Sequence, residues 1–245
     1  MFLITRPAGK ADHLLEALDS EEIAYLYQPV ITTQMVQLKA RDIKLLTQAE
    51  LLILVSLSAV HALEQQIPAS ELTAPLFAVG ETTAAALSRW SGQAVTVPQD
   101  QRSEGLLSLP ELQQVAGKHI VIVRGNAGRE LIKHTLSSRG ALVRYVQSYS
   151  RIPLPLDGAQ LCQQWQHQKV SCIVATSNEI LQRIFSLVPL EQHSWLCQKQ
   201  WILVSPRARD SALALGILPQ HIHLASSAND QALLEAIKQF NKDKL

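Results

Sequence analysis

The sequence has no excess of one charge, no paired cysteines and no apolar run long enough to cross a bilayer, and each absence removes a class of function. Twenty-two Lys and Arg against twenty-one Asp and Glu give a net charge of +1. Without a basic block to release counterions from a phosphate backbone, no nucleic-acid partner is expected. The apolar run Leu51 to Leu57 falls far short of the roughly 20 residues that span a membrane. Met1 to Pro7 has no basic segment before its short apolar stretch, so it reads as a first strand rather than a secretion signal. Cys162, Cys172 and Cys197 are odd in number, far apart and outside any CxxC pair. Neither a disulfide framework nor a thiolate zinc site is expected, and a reducing cytoplasm fits.

Signatures of common enzyme chemistry are missing too. Gly125-Asn126-Ala127-Gly128 lacks the spacing of a dinucleotide loop, and no Walker loop, GxSxG elbow or HExxH occurs. His221 and His223 alternate on one strand face without a third ligand nearby, so no metal is expected. Glu81, Glu104 and Glu130 sit in different loops, none with a mate at a spacing that implies an acid/base pair.

What is present is a βαβ pattern. Hydrophobic residues make up 47% of the chain and charged residues 18%, a balance that folds into globular cores. Short β-rich runs fall at 2–5, 24–27, 51–55, 76–79, 94–97, 119–123, 142–146, 172–175, 201–204 and 222–224. Segments of helical periodicity lie between them at 9–20, 58–66, 82–90, 128–139, 179–187, 207–215 and 230–238. This alternation predicts parallel sheets, and the strands that are apolar throughout predict sheets covered on both faces. Gly92, Gly140 and Gly216 each follow a helix, where a left-handed cap favours glycine.

The pattern occurs twice. Phe2-Leu3-Ile4-Thr5-Arg6 matches Ile120-Val121-Ile122-Val123-Arg124 at an offset of 118; Leu54-Val55-Ser56 matches Ala175-Thr176-Ser177 at 121; Phe77-Ala78-Val79-Gly80 matches Ile202-Leu203-Val204-Ser205 at 125. The chain therefore holds two copies of one α/β unit. The segments 28–33 and 147–153, which follow the second strand of each copy, are extended in character. They could pair as a bridge or run as separate surface loops.

In open parallel sheets, ligands bind beyond the carboxyl ends of the strands. The residues there are Arg6, Ser56, Ser58, Gly80, Thr82, Thr83, Arg124, Gly125, Asn126, Arg129, Thr176, Ser177, Asn178, Ser205 and Arg207. Hydroxyls, amides, glycines and arginines dominate, which suits the grip of a polyanion by backbone N–H groups and guanidinium forks. At any single position a serine, threonine or asparagine before a helix is more often an ordinary N-cap, worth about 1 kcal/mol, than a ligand contact; the same chemistry at the same edge of both copies is what favours a binding edge. Tyr149, on one extended segment, could donate a proton into a cleft or simply pack there with its hydroxyl in water.

Four segments in order, Leu3-Ile4-Thr5-Arg6-Pro7, Ala78-Val79-Gly80-Glu81-Thr82-Thr83-Ala84-Ala85-Ala86-Leu87, Val123-Arg124-Gly125-Asn126-Ala127-Gly128-Arg129-Glu130-Leu131 and Ser226 to Ala236, resemble uroporphyrinogen-III synthases, and the likeness covers nearly the whole chain. The resemblance implies two flavodoxin-like parallel-sheet domains joined by a two-stranded antiparallel linker. Residues 1–27 plus 156–245 would form one domain, 37–145 the other, and 28–36 with 146–155 the linker strands. It implies a monomeric cytoplasmic lyase without cofactor, whose substrate is the linear tetrapyrrole hydroxymethylbilane. In the family reaction the ring A hydroxymethyl group leaves as water, ring D attacks through a spiro intermediate, and the macrocycle closes with ring D inverted. Tyr149 would assist the leaving hydroxyl, while Arg6, Ser56, Thr83, Arg124, Arg129 and Ser177 would bind acetate or propionate groups. The sequence departs from the family pattern at Ser205-Pro206-Arg207-Ala208, where a glycine turn is common, and at Val55-Ser56-Leu57-Ser58, where Thr-Ser is usual. The competing readings are a non-enzymatic two-domain module that closes on an anionic small molecule, and a two-domain glycosyltransferase.

Overall fold

The computed structural model describes residues 1–242. Its strands are β1 (Phe2–Ile4), β2 (Tyr25–Tyr27), β3 (Ile31–Met35), β4 (Leu51–Leu54), β5 (Leu76–Ala78), β6 (Val95–Thr96), β7 (His119–Gly125), β8 (Leu142–Pro153), β9 (Cys172–Ala175), β10 (Gln200–Leu203) and β11 (Ile222–Leu224). Its helices are α1 (Asp12–Ser20), α2 (Ala40–Thr47), α3 (Leu57–Glu64), α4 (Glu81–Ser91), α5 (Ser103–Ser108), α6 (Leu131–Ser138), α7 (Gly158–His167), α8 (Asn178–Leu187), α9 (His193–Cys197), α10 (Pro206–Ala214) and α11 (Asp230–Lys242). Two compact units result: one combines Met1–Thr32 with the chain from Ile152 onward, the other is Thr33–Arg151.

The first unit carries a five-stranded sheet in the order β11-β10-β9-β1-β2, with every described pair parallel. Successive residues of its strands enter opposite cores. Leu3, Ile173, Ala175, Trp201 and Leu203 pack on one face, and Phe2, Ile4, Cys172, Val174 and Ile202 on the other. The second unit carries a six-stranded sheet in the order β3-β8-β7-β4-β5-β6, parallel from β8 to β6. There Leu52, Leu54, Val121 and Val123 fill one core while Leu51, Ile53, Ile120 and Ile122 fill the other. Two-sided burial is the reason these strands carry unbroken apolar runs.

Strands equated by the sequence repeat occupy equal places in the two sheets: β1 and β7, β9 and β4, β10 and β5. Each sheet nevertheless mixes the copies. The first takes β1 and β2 from the first copy and β9 to β11 from the second; the other takes β3 to β6 from the first and β7 with β8 from the second.

Several boundaries differ from expectation for local reasons. The helix expected over 128–139 begins at Leu131, because Gly128 holds φ +147°, outside any right-handed helix. The one expected from residue 9 begins at Asp12, after Gly9 at φ +71°. Helices α2 and α7 had no sequence expectation; both are rich in polar residues, yet α7 buries Leu161, Cys162 and Trp165 along one face. The two extended segments contribute to β3 and β8, which are hydrogen-bonded neighbours in one sheet.

β8 contains one irregularity that matters for the site. Arg124 pairs with Gln147 but Gly125 pairs with Tyr149, so Ser148 is an extra residue in the ladder. Such a bulge shifts every later side chain to the other face of the sheet. Val143 and Tyr145 accordingly pack with the Ile120 core, while Val146 and Tyr149 pack with the Val121 core.

Candidate active site

Beyond β4 the chain stays extended through Ser56 (φ −162°, ψ 155°), and its Oγ caps α3 by accepting the Ala59 N–H at 3.3 Å. β7 ends in Arg124-Gly125, and the bulge turns Tyr149 onto the Ser56 side of the sheet. The Ser56 hydroxyl donates to the phenolic oxygen of Tyr149 at 2.9 Å. Gly125 makes this possible: a Cβ there would lie 2.6 Å from Tyr149 Cε2 and 2.7 Å from Cζ. Tyr149 is only 2% exposed. Its ring forms part of the wall of a cavity of about 210 Å³, together with Ser56, Ser103, Ile122, Arg124, Arg129, Tyr145 and Arg151. The cavity lies wholly within the second unit, at the carboxyl ends of β4, β5 and β7.

Guanidinium groups dominate its charge. Arg124, 8% exposed, donates from Nη1 to Glu130 Oε1 at 2.8 Å and stacks 4.6 Å from the Tyr145 ring centre. Tyr145 completes the cluster by donating its hydroxyl to Glu130 Oε2 at 2.8 Å, with Lys133 Nζ 4.7 Å from the same ring. The Tyr145 hydrogen bond, followed by Arg124, holds the Glu130 carboxyl below its ordinary pKa, although burial opposes them. Burial and then the Glu130 hydrogen bond push the Tyr145 phenol up. Gly128 leaves room for this arrangement, since a Cβ would meet Arg124 Nη2 at 2.8 Å. Arg129 grips Glu104 with both terminal nitrogens, at 2.6 and 3.1 Å, and that hydrogen bond lowers the Glu104 pKa. Asn126 clasps the Arg151 backbone, donating to its carbonyl at 3.1 Å and accepting its N–H at 2.8 Å.

The first unit repeats part of this design. Ser177 (φ −161°, ψ 159°) caps α8 through the Ile180 N–H at 3.2 Å, in nearly the conformation of Ser56. Ser205 caps α10 through the Ala208 N–H at 3.2 Å. Arg6 forms an ion pair with Asp230. Burial lowers its pKa, but a guanidinium remains a cation. Asn178 Oδ1 is buried without a hydrogen-bond partner among the described residues. Arg207 is exposed on α10.

The family described as Uroporphyrinogen-III synthase HemD matches residues 12–235. The chain belongs to the uroporphyrinogen-III synthase family. It is 38% identical to the uroporphyrinogen-III synthase of Escherichia coli (strain K12) over 96% of its own length and 99% of that protein. Two solved structures share the fold: a mutant uroporphyrinogen III synthase from the extremely thermophilic bacterium Thermus thermophilus (TM-score 0.67, 18% identity, 99% of each chain) and the uroporphyrinogen-III synthetase of Helicobacter pylori 26695 (TM-score 0.66, 14% identity, 100% of this chain and 99% of that one). Membership in a family of synthases favours an enzyme over a purely binding module. Among the described residues no helix is long and apolar enough to cross a membrane.

Of the strand-end residues singled out in the sequence, the cavity brings together Ser56, Arg124, Arg129 and Tyr149. Gly125 stands behind the Tyr149 ring. Gly80 and Thr82 do not reach the cavity wall, and neither does Thr83, which is buried on α4; Val79 takes that place. Sequence spacing offers Glu104 and Glu130 no acid/base mate, and the partners the structure gives them are the very arginines expected to bind anions, through contacts that no short-range spacing encodes. Tyr145, Ser103 and Arg151 also line the cavity without having been expected there; the only prior signal for Tyr145 was its place four residues before Tyr149 on one strand.

Proposed function

We propose that this protein is a uroporphyrinogen-III synthase that cyclises hydroxymethylbilane to uroporphyrinogen III, losing water and inverting ring D. The observation that carries this reading is a buried phenol, Tyr149, whose oxygen accepts from Ser56 and whose edge faces a cavity rimmed by Arg124, Arg129 and Arg151. In the reaction the ring A hydroxymethyl group must leave as water. Tyr149 supplies the proton or hydrogen bond that makes hydroxide a better leaving group. The pyrroles supply the electrons, so the protein's remaining tasks are to hold the chain ends and to stabilise charge.

The cavity, at about 210 Å³, is smaller than the roughly 300–1,000 Å³ of pockets that enclose a drug-sized ligand. It seats one end of the linear tetrapyrrole. Substrate acetate and propionate groups are assigned to the guanidinium and N-cap groups: Arg124 and Arg129 here, and Arg6, Ser177, Asn178, Ser205 and Arg207 on the first unit, with Gly80, Thr82, Thr83, Gly125 and Asn126 offering backbone or side-chain donors. Arg6, Arg124 and Arg129 already hold Asp230, Glu130 and Glu104. A substrate carboxylate that displaces one of these exchanges like for like, which keeps the swap close to balanced.

The chain is further assigned two flavodoxin-like domains, 1–27 with 156–245 and 37–145, whose linker strands are 28–36 and 146–155. Strand orders β2-β1-β9-β10-β11 and β8-β7-β4-β5-β6 support the flavodoxin-like assignment. An antiparallel linker is supported by two hydrogen bonds of constant register, Val36 N–H to Ser148 O at 2.9 Å and Leu154 N–H to Val30 O at 3.1 Å.

The test is to mix the protein with freshly generated hydroxymethylbilane and separate the uroporphyrin isomers after oxidation. Type III product is expected; type I alone, the product of spontaneous closure, would refute the assignment.

A further inference from the structure

Ser56 entered the site as a candidate carboxylate binder, and its hydrogen bonds argue otherwise. A serine hydroxyl has one proton and two lone pairs. Its oxygen stands 2.9 Å from the phenolic oxygen of Tyr149, and one of its lone pairs accepts the Ala59 N–H at 3.3 Å. A carboxylate can only accept, so a Ser56 that donates to Tyr149 could bind one only by releasing it.

We infer that Ser56 is a positioning residue: it fixes Tyr149 as a hydrogen-bond acceptor on one side, so that the phenol proton points into the cavity. The inference rests on the proposed reaction, in which Tyr149 donates to the leaving hydroxyl. Three observations support it. The ring of Tyr149 is pinned, since Gly125 lies against its edge and the bulge at Ser148 fixes which face it occupies. The torsion of the C–O–H group is then the remaining freedom of the side chain, and an incoming donor selects its orientation. Next, the described residues give the phenol one hydrogen-bonding partner, Ser56, although the side chain is 2% exposed and a phenol can both donate and accept. The cavity is the place left for a second partner. Finally, the duplication supplies an internal comparison. Ser177 has nearly the same φ and ψ and makes the same cap, but its hydroxyl donates to no phenol. The residue 118 positions before Tyr149 is Ile31. The second copy alone carries the tyrosine, and the first copy's serine is the one turned toward it.

The test combines kinetics with a spectrum of the protein without substrate. Ser56→Gly keeps a tolerated N-cap but removes the hydroxyl, and Ser56→Thr retains both cap and donor. Ser56→Gly is expected to lower kcat for type III product about tenfold, the size of one lost hydrogen bond, with KM unchanged. Ser56→Thr should restore most of the rate, and in a Tyr149→Phe background Ser56→Gly should cost nothing further. A rise in KM in both backgrounds with kcat intact would overturn the inference, because Ser56 would then be touching substrate. Independently of activity, the tyrosine doublet ratio in the Raman difference spectrum (wild type minus Tyr149→Phe) should report an accepting phenol and lose that character in Ser56→Gly. An unchanged ratio overturns the inference as well. Failure of the proposed reaction itself appears separately, as a wild-type protein that forms no type III isomer while the Raman result stands.

Discussion

Gly125→Ala puts the geometry of the site under the most direct strain. The added methyl would lie 2.6, 2.7 and 3.1 Å from three ring carbons of Tyr149, where contacts of about 3.5–4.0 Å are comfortable. Backbone strain does not contribute, since Gly125 lies in β7 outside the positive-φ region, and alanine would even gain about 0.5–1 kcal/mol there from a less flexible unfolded chain. The clash therefore stands alone. Overpacking of this kind costs about 1–3 kcal/mol, so the net loss is about 0–2.5 kcal/mol, or a fall in Tm of up to roughly 10 °C for a chain of this size. The larger effect falls on the reaction. A ring that retreats by about an ångström stretches the 2.9 Å bond to Ser56 past hydrogen-bonding range, and a misplacement of that size costs up to about 100-fold in rate. The assay is isomer-resolved turnover of hydroxymethylbilane beside thermal melting, for Gly125→Ala with and without Tyr149→Ala. The methyl should be harmless to stability once the ring is gone, which isolates the coupling between the two positions. Wild-type Tm and kcat in Gly125→Ala would refute the packing argument and, with it, the placement of the phenol.

Tyr149→Phe should lower kcat with little change in KM, measured as type III product formed; an unchanged rate removes the phenol from the reaction. The Glu130 carboxyl titrates below its ordinary value, so the stability gained from its contacts with Tyr145 and Arg124 is present above about pH 4.3 and is lost as pH falls through the depressed pKa. Melting curves of wild type and Glu130→Gln should accordingly differ at neutral pH and converge in acid; a gap that widens in acid contradicts the assigned sign. Ser177→Ala removes the α8 cap and should cost about 1 kcal/mol, or roughly 2–4 °C in Tm. A KM effect without the Tm effect would mark it instead as a pure ligand contact.

The parts of the fold that were legible in the sequence are those written in short-range pattern. Short apolar runs gave the central strands to within a residue or two, and Gly92, Gly140 and Gly216 do hold positive φ after their helices. Helices α2 and α7 were missed although each carries an apolar face, Ile43 with Leu46 in α2 and Leu161, Cys162 and Trp165 in α7. The strand-end rule found Ser56, Arg124 and Arg129, which are single residues at predictable places. It could not find Glu104, whose partner Arg129 lies 25 residues away across a loop, nor the bulge. Within Gln147-Ser148-Tyr149-Ser150 nothing marks Ser148 as the residue that slips from the ladder, yet that slip decides which core receives the phenol. Which strands neighbour one another was likewise absent from periodicity, since the repeat alone suggests that each copy folds on itself.

The mixing of copies gives the two units different histories on the ribosome. The second unit is one contiguous stretch, complete once Arg151 has been made. The first strand of the other unit has its partner β2 early, but its opposite edge, from Phe2 to Ile4, pairs with Cys172 to Val174, about 170 residues downstream. At about 5–20 residues per second that edge stays open for roughly 10–30 s of synthesis. Nascent chains halted shortly after Arg151 should thus present a protease-resistant middle behind a vulnerable leading strand–helix–strand segment, and should be the ones that holdase chaperones capture.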